Sequence, residues 1–168
     1  VTGLEKEIES LTEALSMSEK TIEKAVARAL QRTTRTFAAL LAKETADGAR
    51  VPVRPVRQRI KTRGRGLLAS LSMITHDLPL ILAGARQGAR GTATRQGHFV
   101  GGAFIARGRL GRLERKVYRR LAKARHPLIA EKVALHEAAS SATREIDLRE
   151  VFLKNLLHEV RYRGGLLG

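Results

Sequence analysis

Apolar positions in the first third of the chain recur at helical intervals. Leu4, Ile8, Leu11 and Leu15 are spaced by four, three and four, and Ile22, Val26, Ala29, Thr33, Phe37 and Leu40 continue the stripe. Thr2-x-x-Glu5 and Ser16-x-x-Glu19 both have the form of a capping box, so the pattern predicts two abutting helices or one long helix bent near Ser16 to Ser18. Asp47-Gly48 supplies a stop, and Pro52 and Pro55 oppose continuation. A short helical turn is expected over Val56 to Ile60, after Pro55.

The period then changes from helical to alternating. In Gly66 to Ile74, Leu67, Ala69, Leu71 and Met73 fall on one face and Leu68, Ser70, Ser72 and Ile74 on the other, which is strand spacing. Asp77-Leu78-Pro79 suggests a turn or sheet edge, because proline cannot donate to a central ladder, and Leu80 to Ala83 reads as the next strand. Residues 84–97, GARQGARGTATRQG, mix glycines with arginines and read as an exposed, mobile loop or loose hairpin. Phe99 to Ala106 and Arg115 to Arg120 read as strands linked through RGRLGR, with Phe99, Phe104, Ile105 and Val117 facing the core; His126 to Ile129 reads as an edge segment. Helix returns around Ala134 to Ala142. It returns again after Asp147-x-x-Glu150, where Leu148, Val151, Phe152, Leu156 and Val160 form a stripe that Gly164-Gly165 ends. That stripe is either core or an intersubunit helix, with Leu148, Phe152 and Leu156 as the interface candidates. The prediction is a single α+β domain: a helical part over 1–47, a basic sheet part over 51–132 with a central antiparallel sheet, and a C-terminal helical part over 133–168.

Composition sharpens this picture in two places. Aromatics are 4% of the 168 residues and Trp is absent, so the core must be mostly Leu, Ile, Val and Ala, which argues against modules that stack bases on several aromatics. Cysteine is absent, which removes disulfides, thiolate zinc sites and cysteine nucleophiles together. The longest apolar stretch, Leu78 to Ala85, is about 8 residues, well short of the roughly 18 of a membrane span, so no membrane partner is expected. The acidic start VTGLEKEIE has no apolar signal core, and the expectation is a soluble, intracellularly made protein.

Charge is the stronger signal. The net charge is +16, and residues 51–132 hold 19 basic and 3 acidic side chains, so this segment carries the whole excess. Such self-repulsion in a compact domain implies a polyanionic partner, DNA or RNA.

Candidate chemistry fails on spacing. His136-Glu137-Ala138-Ala139-Ser140 begins like a helical zinc-hydrolase motif but has Ser where the second His must stand. The other histidines are scattered, and among residues 51–132 only Asp77, Glu114 and Glu131 are acidic, too few for a two-metal nuclease cluster. The glycines of GHFVGGAFIARGRLGRLERKVYRR lack the Gly-Lys-Ser/Thr ending of a phosphate-binding loop. No catalytic residue, metal site or cofactor is expected, and the chain reads as a non-enzyme.

Residues 77–131 carry a specific resemblance. DLPLILAGARQGARGT, then GHFVGGAFIARGRLGRLERKVYRR, then RHPLIAEKV resembles the minor tail protein Z family of lambda-like tailed phages, the tail completion proteins; the most specific pieces are Leu78 to Gln87, Gly102 to Ala106, Val117 to Arg119 and His126 to Ile129. GLEKEIESL, ARALQRTTRTFAALLAKET and VPVRPVRQRIK resemble the family's helices and its entry into the sheet, while RGRLGRL and RLAKARHP depart from its usual turns. The resemblance implies a structural virion protein, assembled in the bacterial host cytoplasm and sited at the head-proximal end of the tail. There it forms a ring, six-fold by that likeness, which helps join tail to head beside the tail terminator and head-tail connector proteins. Phage genomic DNA passes through it. On that reading Arg86, Arg90, Arg95, Arg107, Arg109 and Arg112 either line the DNA channel, touching phosphates without reading sequence, or pair with acidic patches on neighbouring subunits. The rival reading is a stand-alone basic nucleic-acid-binding protein of ribosome- or nucleoid-associated type.

Overall fold

The computed structural model describes residues 19–106, 116–121 and 128–163. The stripe from Leu4 to Leu15, the capping boxes at Thr2 and Ser16, the bend near Ser16, the RGRLGR link, His126-Pro127 and the Gly164-Gly165 stop lie outside these residues. So do Arg107, Arg109 and Arg112.

The fold is α+β, with a long N-terminal helix, small antiparallel sheets in the middle and two helices after them. Helix α1 (Glu19–Gly48) is followed by α2 (Val53–Arg57) and a run of strands: β1 (Ile60–Arg65), β2 (Leu68–Met73), β3 (Leu78–Pro79), β4 (Arg86–Gly88) and β5 (Gly91–Ala93). Then come β6 (Phe99–Gly101), β7 (Phe104–Ile105), β8 (Val117–Arg120), β9 (Leu128–Ala130) and β10 (Lys132–Val133), and finally α3 (His136–Glu145) and α4 (Leu148–Arg163). The expected central sheet is four small sheets among the described residues, ordered β1-β2, β10-β3, β4-β5-β6 and β7-β8-β9.

The chain divides into two compact units, Val1–Leu40 with Lys61–Ser72 and Ile146–Gly168, and Leu41–Ile60 with Met73–Glu145. In the first, Ala25, Ala29 and Thr33 are buried at intervals of four on α1, where small side chains let α4 approach. Asn155 Nδ2 donates to Thr33 Oγ1 at 3.1 Å, and Arg32 Nη1 meets Glu159 Oε1 at 3.1 Å. Helix α4 begins where the cap signal placed it, because Asp147 Oδ1 accepts the amides of Arg149 and Glu150 at 2.9 and 3.1 Å.

In the second unit Val56, Leu78, Leu80, Val117 and Leu135 are fully buried among Ala42, Ala46, Ala83 and Ala103. Burial of each large side chain contributes about 1.5–3 kcal/mol. The many alanines let backbones approach closely where no aromatic ring fills space. On α3, Ala138 packs so near Gly48 that a β-carbon there would lie 3.3 Å from Ala138 Cβ.

The structure departs from the sequence expectations at several points. The short helix starts at Val53, not Val56, because Pro52 serves as its extended N-cap (φ −61°, ψ 144°) and Pro55 sits in the first turn, where amides have no helical acceptor. Ile60–Arg65, which no apolar pattern marked, is a strand: its ladder with β2 holds it, and only Ile60 is partly buried. Leu80 to Ala83 form successive turns, with Leu82 N donating to Pro79 O (2.9 Å), Ala83 N to Leu80 O (3.1 Å) and Gly84 N to Ile81 O (3.2 Å). Residues 84–97 take the hairpin alternative, not the loop: they contain β4 and β5, two strands of a three-stranded meander, and Gly91, Thr92 and Thr94 are buried where an exposed stretch was expected. Phe99 to Ala106 is two strands in different sheets, broken at Gly102 (φ 67°), and Phe99 is 63% exposed instead of facing the core; Val117 is buried as expected.

Candidate nucleic-acid interface

The basic meander β4-β5-β6 is built largely on glycine and polar side chains, with Val100 as its apolar contact to the core. Its first hairpin turns through the two-residue connection Ala89–Arg90, and Gly88 pairs with Gly91 across it. Neither central residue takes a positive φ, so the turn is not of the type that requires one at both centres. The unusual angle falls on Gly91 (φ 151°), where a β-carbon would collide with the Val100 carbonyl oxygen and lie 3.0 Å from Gly101 Cα. Only glycine lets β5 and β6 close at this point.

The second turn is pinned by its own polar groups. Thr94 N donates to His98 O (2.8 Å), His98 N donates to Thr94 Oγ1 (3.1 Å), and Gly97 takes φ 96°. The His98 ring bonds through Nε2 to the Ala49 carbonyl at 2.9 Å, so Nε2 carries the proton in that contact. Gln87 ties the meander to the neighbouring sheet: Oε1 accepts Ile105 N at 2.8 Å, and Nε2 donates to the carbonyls of Gly91 (3.2 Å) and Ala103 (3.3 Å).

This frame presents three of the six candidate arginines. Arg86 opens β4, Arg90 stands in the connection, and Arg95 lies in the turn between β5 and β6; all are exposed, and none of their side chains has a hydrogen-bond or ion-pair partner among the described residues. The register pairs Arg86 with Ala93, two residues before Arg95. Arg86 and Arg95 therefore share one end of the meander and Arg90 occupies the other, about 10 Å away at three strand rises. Flexible cations on rigid backbone suit phosphate contacts that carry no sequence information.

Other arginines nearby are engaged within the protein. Arg119 Nε bonds Glu131 Oε1 at 2.7 Å, and the Arg120 guanidinium lies 5.7 Å from the centre of the Phe104 ring, which is 6.2 Å from that of Tyr118. The same unit has an acidic cleft of about 340 Å³ lined by Glu44, Glu137 and Glu145. On α4, Leu148 is 50% exposed, whereas Phe152 and Leu156 are half-buried, so the three interface candidates do not form one exposed stripe.

Sequence reasoning missed Gln87, Thr94 and His98 as the groups that position these arginines. Their signal was weak: polar residues beside glycines, in or next to a stretch whose low apolar content suggested an exposed loop or loose hairpin. Among the described residues no group of three His, Asp or Glu side chains could hold a metal, and no helix is long and apolar enough to cross a membrane. Compared with family models, curated proteins and solved structures, the chain matches none.

Proposed function

We propose that this chain is a structural subunit of the neck of a long-tailed phage, a tail completion protein that forms a ring at the head-proximal end of the tail and surrounds the passing genome. The observation that carries the reading is the set of exposed arginines, Arg86, Arg90 and Arg95, without partners among the described residues, on a hydrogen-bonded meander inside the segment that resembles the tail completion family. Repeated around a ring, they create a diffuse positive wall that attracts backbone phosphates and gives way to salt. The protein acts through assembly, with no chemical step, and its partners are its own copies, the tail terminator, the head-tail connector and DNA.

The test combines assembly with binding. Arg86→Gln, Arg90→Gln and Arg95→Gln together leave ring formation intact by negative-stain microscopy, while the slope of log affinity for duplex DNA against log salt falls by about 2 to 3. Loss of rings in this variant sinks the DNA role and favours pairing with a neighbour, for which the Glu44, Glu137 and Glu145 cleft supplies acceptors. Wild-type protein that binds duplex steeply as a monomer, with no ring alone or with tail proteins, supports the stand-alone nucleic-acid-binding reading instead.

A further inference from the structure

The β1-β2 hairpin lies outside the candidate interface, and along β2 its two faces differ. Burial along β2 alternates: Ala69, Leu71 and Met73 are half-buried and Leu68, Ser70 and Ser72 are exposed. Gly64 belongs to the half-buried side, since a β-carbon there would stand 3.8 Å from Gln31 Cγ of α1 and 3.9 Å from Ala69 Cβ. Strand alternation then puts Ile60 and Thr62 on that side as well. Lys61, Arg63 and Arg65 share the outer face with Leu68, Ser70 and Ser72.

Three cations at every second residue repeat at about 6.6 Å along the strand. All three are exposed, and none of their side chains has a hydrogen-bond or ion-pair partner among the described residues. Local neutralisation is absent from the sequence too, for no Asp or Glu occurs between Asp47 and Asp77. Hydroxyls of Ser70 and Ser72 on the adjoining strand add neutral donors beside the charges. The two-residue connection Gly66–Leu67, with Gly66 at φ 58°, keeps the ribbon narrow.

We propose that the outer face of this hairpin is a second, sequence-independent contact for duplex DNA, with Lys61, Arg63 and Arg65 on backbone phosphates and Ser70 and Ser72 donating beside them. A two-stranded ribbon is narrow enough for the major groove or for the phosphates along its edge. Duplex DNA fits better than a membrane surface. The cations run the length of the ribbon, whereas the exposed apolar side chains stand only at its two ends, Leu67 (54%) and Leu68 (75%) at the tip and Ile74 (46%) at the base. No ring is needed for this contact, which stands or falls apart from the role given to Arg86, Arg90 and Arg95.

The experiment is duplex binding across a salt series with three forms of the full chain: wild type, Lys61→Gln/Arg63→Gln/Arg65→Gln, and the meander variant. The hairpin variant, with an unchanged circular dichroism spectrum, loses roughly tenfold or more in affinity at about 0.1 M salt, and its salt slope drops by about 2 to 3. Wild-type affinity and slope in that variant overturn the inference and leave the meander untouched. Retained duplex binding with loss of binding to phosphatidylserine vesicles overturns it in favour of a membrane contact. If the triple variant misfolds, a fluorophore on Ser70→Cys, unique because the chain has no cysteine, reports instead. A salt-reversible emission change on adding duplex supports the contact, and a signal indifferent to duplex overturns it.

Discussion

Replacing Gly91 by alanine tests whether the basic meander is held as tightly as its geometry states. Gly91 has φ 151°, a region essentially reserved for glycine, and forcing another residue there costs about 1–3 kcal/mol. The added β-carbon meets three backbone atoms: the Val100 oxygen inside contact distance, Gly101 Cα at 3.0 Å and Gly102 N at 3.1 Å. No side chain can rotate away, so β5 and β6 must part. The amide of Gly102, which bonds the Arg90 carbonyl at 3.0 Å, moves with them. Losing one or two such bonds adds about 1 kcal/mol each, for a total of about 2–5 kcal/mol. For a chain of this length that lowers the melting temperature by about 10 °C. Gly84→Ala is the control, because Gly84 also has positive φ (79°) but nothing lies within 4 Å of its added β-carbon; its cost is about 1–2 kcal/mol of backbone strain alone. Urea denaturation of both variants decides the matter. Equal losses for Gly91→Ala and Gly84→Ala would refute the close β5-β6 approach, and with it the rigid presentation of Arg90.

Buried polar groups and one helix cap give three more expected outcomes. Thr92 is fully buried and its hydroxyl has no hydrogen-bond partner among the described residues, so Thr92→Val stabilises by about 1 kcal/mol in urea titration; destabilisation of that size would mean the hydroxyl is satisfied. Glu159 is buried with Arg32 at 3.1 Å and Arg163 only at 4.0 Å, so Arg32→Ala strands a carboxylate and costs about 3 kcal/mol, while Glu159→Gln costs about 1 kcal/mol; the reverse order of midpoints would contradict this ranking. Asp147→Ala removes the N-cap of α4, costs about 1 kcal/mol, and speeds hydrogen exchange at the Arg149 and Glu150 amides, whereas unchanged exchange would show that the cap carries no weight.

Legibility of the fold followed the source of each element's stability. Helix α1 and the start of α4 were visible because their signals are local: a periodic stripe with Asp47-Gly48 at its end, and a side-chain oxygen three residues before an amide it caps. The alternation of β2 was visible for the same reason, but which of its two faces is half-buried, that of Ala69, Leu71 and Met73, was decided by the fold. Strand β1 was invisible, since IKTRGR has no apolar alternation and is held by a ladder to a partner strand. Glu159 shows the same limit in a helix. Its burial depends on Arg32 of α1, far away in sequence, so nothing in the stripe of α4 marks it.

The α+β class, the two helical ends, the alanine-rich core and the concentration of charge in residues 51–132 could all be read from the chain, because composition and short-range periodicity need no fold to exist. Which cations are free is a property of the folded molecule. Arg119 and Arg120 are taken up by Glu131 and Phe104, whereas Arg86, Arg90 and Arg95 have no partners among the described residues, on a frame pinned by Gln87, Thr94 and His98. A charge count is additive along a sequence, while pairing depends on which carboxylate, ring or carbonyl the fold brings within a few ångströms. GHFVGGAFIARGRLGRLERKVYRR shows both halves of this: its glycines announce turns, but only the folded chain shows that Gly102 separates two sheets, that Phe104 begins the second, and that Arg120 belongs to Phe104.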